Sequence, residues 1–153
     1  MNAHLPMYWD DFEVGMRFST DVHAVTRDEV AQFAALTLDD NPLHTDPDFA
    51  RSTRFGEVVA HGLLGTSLAV GLFAQTRLVT GTALALLEVR SRFLIPVLAG
   101  DVLRAEVEVT QLKPTKRLTE GVLWRRIDVL NQRDDVVQEV EMVALVRRRP
   151  GAA

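Results

Sequence analysis

The sequence predicts an α+β domain in which an antiparallel sheet of about five strands wraps around one long apolar helix. Three observations carry this. From Gly62 to about Arg77 the chain is apolar almost all round, and a helix of that kind needs protein on every side. After residue 81 the hydrophobic period changes to two, so each run has one wet and one dry face, as in an antiparallel sheet covered on one side. No internal repeat, low-complexity stretch or linker interrupts the chain, so residues 1–153 read as one domain.

In chain order, the run GMRFSTDVHAV reads as a first strand. Thr26 and Glu29 then have the spacing of a capping box, and Val30, Phe33, Ala34 and Leu36 fall near one face of a helix that ends before Pro42. Asp46 caps a second short helix begun by Pro47. Beyond the apolar helix, Leu87, Val89 and Phe93 alternate with Glu88, Arg90 and Arg92. Leu103, Ala105, Val107 and Val109 oppose Arg104, Glu106 and Glu108 in the same way. Two further strands centre on Ile127 and Val129, and on Val140, Met142 and Ala144. Gly100-Asp101 and Asn131 to Asp135 read as hairpin turns.

Composition narrows the function classes. A net charge of −4 and a pI near 5.5 give no general attraction to nucleic acid or an anionic membrane. Arg147 to Arg149 read as the solvated end of a strand. With no cysteine, a disulfide framework, a thiolate nucleophile and a zinc–thiolate site are all excluded. The N-terminal run lacks the basic and apolar regions of a secretory signal, and the apolar run Gly62–Ala74 falls short of the roughly 20 residues a spanning helix needs. A cytoplasmic protein is the expectation. His4 and His23 carry no signal.

The chemistry concentrates in DDNPLHTDPDFA, residues 39–50. Pro42 keeps Asp39 and His44 off one continuous helix, because the residue before a proline is pushed out of the α region. A loop can therefore turn a carboxylate and an imidazole toward one point. Asp40 and Asp46 read as turn and cap residues, and Asn41 as the residue that shapes the loop. Asp39, His44 and His61 also offer metal ligands, but no further ligands accompany them, and neither a metal nor a cofactor is expected.

Asp39-Asp40-Asn41-Pro42-Leu43-His44 matches the D-x-N-P-x-H core of the MaoC-like, R-specific enoyl-CoA hydratases. Ala60-His61-Gly62 resembles that family's AHG segment, and Phe93 to Asp101 its F-x-x-P-V-x-x-G-D strand and turn. Trp9 to Gly15 resembles its lead-in, so the likeness covers almost the whole chain. The resemblance implies a hot-dog fold and reversible addition of water to a 2-enoyl thioester carried by coenzyme A or acyl carrier protein, giving the R-3-hydroxyacyl product. Asp39 and His44 would hold one water between them, the Gly62 backbone N–H would meet the thioester oxyanion, and Asn41 and His61 would lie on the substrate side. Arg90, Arg92 and Lys116 are candidates for the carrier phosphates. Edge-to-edge pairing of two sheets into a homodimer, or a multiple of one, is also implied, with the strand Leu87 to Leu94 as one candidate edge.

Two residues depart from the family pattern. Leu38 stands where glycine is common, which is expected to alter the loop, narrow the pocket or displace Asp39, and Val70 replaces a small polar residue. A hot-dog thioesterase and a non-catalytic acyl-thioester binding subunit are the alternatives.

Overall fold

The computed structural model describes residues 6–151. His4 lies outside them. A single 3-10 turn, Trp9–Asp11, precedes strands β1 (Arg17–Ser19) and β2 (His23–Ala24). Four helices follow: α1 (Arg27–Thr37), α2 (Pro42–Thr45), α3 (Pro47–Ser52) and α4 (Gly62–Gln75). The chain ends in four long strands, β3 (Ala83–Phe93), β4 (Val102–Pro114), β5 (Glu120–Leu130) and β6 (Val136–Arg147). The sheet is antiparallel with order β1-β4-β5-β6-β3, and β2 pairs with β4 beside β1.

The dry faces of the central strands are those the alternation indicates. Leu103, Ala105, Val107 and Val109 of β4 are buried, as are Ile127 and Val129 of β5 and Val140 and Met142 of β6. They pack in one core with Leu64, Ala69 and Phe73 of α4, so the sheet curls around the long helix in the hot-dog arrangement. Among the described residues, no helix is long and apolar enough to cross a membrane.

Five expectations are corrected. The sheet has six strands where about five were expected, because GMRFSTDVHAV breaks in two. The Thr20 N–H still donates to the Ala105 carbonyl (3.0 Å), but the Ala105 N–H donates to the Thr20 hydroxyl (2.9 Å), which replaces a backbone acceptor and ends the ladder. Leu36 of α1 is exposed, and only Val30 and Ala34 of its face are buried. Gly100-Asp101 is no hairpin, since β3 and β4 lie toward opposite sides of the sheet. Residues 94–101 instead cross between them, held by Gly100 N–H to the Val25 carbonyl (2.7 Å) and Ala60 N–H to the Val97 carbonyl (2.8 Å). Finally, α4 is covered on one side alone, with Leu63, Ser67, Gly71 and Ala74 exposed. Edge strand β3 likewise leaves Leu84, Leu86, Leu87, Val89 and Phe93 exposed, so its expected dry face is bare in the single chain.

Two features escape the alternation. Arg125 lies on the inner face of β5 with 6% exposure, its guanidinium carbon 4.6 Å from the centre of the Phe73 ring near the C-terminus of α4. Burial lowers its pKa to about 10, so it remains a cation at neutral pH. The basic tail is also not merely solvated. Arg148 pairs with Asp10 (2.6 Å) and Arg149 with Asp11 (2.8 Å), fastening the last strand to the opening 3-10 turn.

The capping box that starts α1 is formed as its spacing indicates. The Glu29 N–H donates to the Thr26 hydroxyl oxygen (3.2 Å), and the Glu29 carboxylate accepts from the Thr26 N–H (2.8 Å). Burial works against a charged Glu29, but the Thr26 N–H, the Thr26 hydroxyl and His23 outweigh it and hold the carboxyl below its usual 4.5. A carboxyl with a depressed folded-state pKa adds stability that is complete above its unfolded value and lost as pH falls through the folded one. Thr26→Ala is therefore expected to cost about 1 kcal/mol at pH 7 by urea denaturation, with the difference from wild type shrinking in acid below that value. A deficit that stayed constant through the acid range would detach it from Glu29.

Candidate active site

Three helices bring the chemistry together. α1 ends at Leu38, whose φ of 65° is left-handed and turns the chain out of the helix. Glycine is the ordinary residue for this conformation, which gives a physical reason for the family pattern. The Leu38 side chain is 87% exposed and is not among the residues of the cleft described below, so it does not narrow that cleft. Asp39 follows on the loop, with its side chain exposed. The Asn41 carboxamide oxygen then accepts the Leu43 N–H (3.0 Å) and starts α2, which carries His44. Asp46 caps α3 by accepting from the N–H groups of Asp48 (2.9 Å) and Phe49 (3.1 Å). The loop expected to carry both Asp39 and His44 thus ends at Asn41, and His44 stands on a one-turn helix.

His44 Nδ1 lies 2.6 Å from the Val59 carbonyl, which can only accept, so Nδ1 carries the proton and Nε2 is left as a base. His61 Nε2 lies 2.9 Å from the Asp39 backbone carbonyl and is its donor by the same argument. The His61 ring, 4% exposed, is stacked on His44 with centroids 3.8 Å apart and the planes at 26°. On its other contact the Phe33 ring of α1 stands 5.1 Å away. His61 Nδ1 is buried with no hydrogen-bond partner.

Asp39, His44 and His61 offer ligand atoms that all lie within 4.8 Å of one another. Metals bind imidazole in the ring plane at about 2.0–2.1 Å, and nearly parallel stacked rings do not aim their lone pairs at one point. The spacing instead suits a water, since two hydrogen bonds can bridge groups of this separation.

His61 is also the N-cap of α4, and Gly62 is its first residue. The Gly62 N–H is the first of the helix, with no carbonyl one turn back to accept it, and the helix dipole there favours an anion. A β-carbon on Gly62 would stand 2.7 Å from the Phe93 ring, so packing as well as access favours glycine there. Beneath this turn Gln138 donates to the Gly62 carbonyl (3.2 Å) and accepts from the Thr66 hydroxyl (3.3 Å), which also meets Ser91 (3.2 Å). Sequence reasoning missed Gln138, a buried polar residue in the inward register of Val140 and Met142 that belongs to no motif.

A cleft of about 480 Å³ opens beside Gly62. Val59, Leu63, Phe93, Ile95 and Val97 supply much of its apolar wall, and Arg54 and Gln138 its polar side chains. Of the arginines marked for carrier phosphates, Arg90 is paired with Glu88 and Glu141 (both 3.4 Å), and Arg92 with Glu139 (3.0 Å). Lys116 lies in the connection between β4 and β5.

Fold and site together define a hot-dog protein with an Asp–His pair at the mouth of its central helix. The chain belongs to the MaoC-like domain family, whose model matches residues 11–126. It is 47% identical over 88 residues, 58% of this chain and 64% of the relative, to the (R)-specific enoyl-CoA hydratase of Aeromonas caviae. The structure of the (R)-hydratase from A. caviae superposes with a TM-score of 0.72 at 36% identity, covering 92% of this chain and 98% of that one. Identity to the 3-hydroxybutyryl-CoA dehydratase of Methylorubrum extorquens is 34% over 113 residues, 72% of this chain and 69% of the relative. At 23% identity and a TM-score of 0.84, a Mycobacterium tuberculosis protein with a double hot-dog fold shares the architecture over 97% of this chain and 46% of its own.

A non-glycine residue in the left-handed region carries strain of roughly 1–2 kcal/mol. Leu38→Gly is expected to recover about 1 kcal/mol of that in urea denaturation. A net loss of stability would instead reveal a stabilising role for the leucine side chain.

Proposed function

We propose that this chain is a hydro-lyase that reversibly hydrates 2-enoyl thioesters to R-3-hydroxyacyl thioesters, with residues 1–153 acting as one catalytic domain. The observation that carries this is the convergence of the Asp39 carboxylate with the His44 ring, whose Nδ1 is held by the Val59 carbonyl, beside the first turn of α4. The names of the relatives support the same reaction class.

In the proposed mechanism, Asp39 and His44 hold one water over C3 of the enoyl group. As the water oxygen bonds to C3, His44 Nε2 takes a water proton, and the π electrons move through C2 onto the thioester oxygen. The Gly62 N–H meets that oxyanion, a contact typically worth about 2.7–4 kcal/mol in the transition state. The enolate then recovers the proton from His44 at C2, so the sum is addition of one water. His61 positions both partners, by stacking on His44 and by donating to the Asp39 carbonyl, while Asn41 caps α2. With Asn41 Oδ1 so engaged and His61 buried, these two residues serve the catalytic loop more directly than they serve substrate contact.

Asp39→Asn and His44→Ala are each expected to lower hydration of crotonyl-CoA by about 10²-fold or more while leaving the circular dichroism spectrum unchanged. Wild-type turnover in Asp39→Asn would remove the carboxylate from the mechanism. Release of free thiol without loss of enoyl absorbance would replace the reaction with thioester hydrolysis.

We further propose that the working form is a homodimer, or a multiple of one, joined through β3. An unpaired edge with a row of exposed large apolar side chains invites a second strand. The exposed stripe of α4 supports an interface that is continuous with it. Light scattering is expected to give a multiple of the 17.0 kDa chain mass, and Leu87→Glu with Val89→Glu to shift it toward one chain. A fully active species of one-chain mass at all concentrations would overturn the assembly.

A further inference from the structure

A thioester of coenzyme A or acyl carrier protein brings a long polar arm that lies outside the catalytic pair, and the arginines of β3 are already matched by carboxylates. We propose, resting on the hydratase reading, that Arg54 is the cation that docks a phosphate of that carrier.

Arg54 lies in the turn between α3 and α4 and lines the cleft beside Gly62. The same cleft is walled by Gly62 and by Val59, whose carbonyl meets the His44 ring, so it adjoins the catalytic pair without being lined by it. Its other polar side chain, Gln138, is committed to the Gly62 carbonyl and the Thr66 hydroxyl. Among the described residues, Arg54 is the one charged residue of its lining.

The surrounding charges isolate Arg54 further. Arg27 is taken by Glu57 (2.6 Å) and Arg51 by Asp48. Among the described residues, no carboxylate lies within 4.0 Å of the Arg54 guanidinium. Its carbon sits 4.8 Å from the centre of the Phe55 ring, a cation–π contact that takes up none of its N–H donors. A guanidinium presented in this way matches phosphate oxygens.

Position distinguishes a phosphate from a carboxylate at the far end of an acyl chain. Arg54 is exposed, so it stands at the mouth of the cleft, where a carrier must leave for solvent. An arginine serving an acyl terminus would stand at the closed end. The phosphate has two sources: the pantetheine phosphate common to coenzyme A and acyl carrier protein, or the further phosphates that coenzyme A alone carries.

The test compares wild type, Arg54→Gln and Arg54→Lys on crotonyl esters of coenzyme A, 3′-dephospho-coenzyme A, phosphopantetheine and N-acetylcysteamine. In Arg54→Gln, the ratio of kcat/KM for the coenzyme A ester to that for the phosphate-free ester is expected to fall about tenfold or more, the loss lying in KM. Arg54→Lys is expected to recover part of it. A fall shared by the phosphopantetheine ester assigns the contact to the pantetheine phosphate, and one absent from it assigns the contact to the nucleotide end. Equal losses on all esters would overturn the proposal. Should the wild type hydrate none of these esters, the hydratase reading fails by itself. Calorimetric titration of coenzyme A then decides the docking question, weaker binding to Arg54→Gln upholding it and equal binding, or none to wild type, refuting it.

Discussion

The arrangement of the site depends on the His61 ring. It is the point at which α1, α2 and α4 meet, through Phe33, His44 and its own place as the cap of α4. Helices of four and six residues such as α2 and α3 have no independent stability, because nucleation is unfavourable and few bonds follow it. Their orientation comes from what they lean on. For α2 that is a stacked imidazole on one side and the Val59 carbonyl on the other, and both belong to the segment that leads into α4. The flat ring also spaces the Asp39 loop, since its Nε2 donates to the Asp39 backbone carbonyl (2.9 Å) and stands 3.9 Å from the Asp39 carboxylate.

A second constraint comes from packing beneath α4. Gly62 and Gly65 are each closed in by a side chain, the Phe93 ring and the Gln138 carboxamide. A buried amide is costly unless its donors and acceptors are satisfied, and Gln138 meets that condition through the Gly62 carbonyl and the Thr66 hydroxyl. The first turn of the helix is thereby tied to β6 by polar contacts, although apolar packing holds the rest of its inner face.

Much of this was legible in the chain. The capping box at Thr26, the proline-broken motif from Asp39 to His44 and the two-residue period of β4 are local patterns, and each maps onto local structure. What stayed hidden is non-local. The alternation in β3 resembles that of β4, but a period of two says which residues share a face and not whether anything covers that face. The same limit explains α4, whose all-round apolarity implied cover on every side. Arg125 escaped because a charged residue in an inward register looks like an error in the pattern until Phe73 is seen beneath it. Leu38 was noticed as a departure, but its side chain turns outward because the left-handed backbone directs it there, which only coordinates reveal.

Phe93, Leu94 and Ile95 belong to two surfaces at once, the wall of the cleft and the end of the exposed β3 edge. A cover on that edge that shifts these side chains would alter the free energy of filling the cleft. The relation runs both ways: a ligand in the cleft must change the affinity of the edge for its cover by the same factor. The two equilibria share side chains, and any shift of those side chains in one is felt in the other.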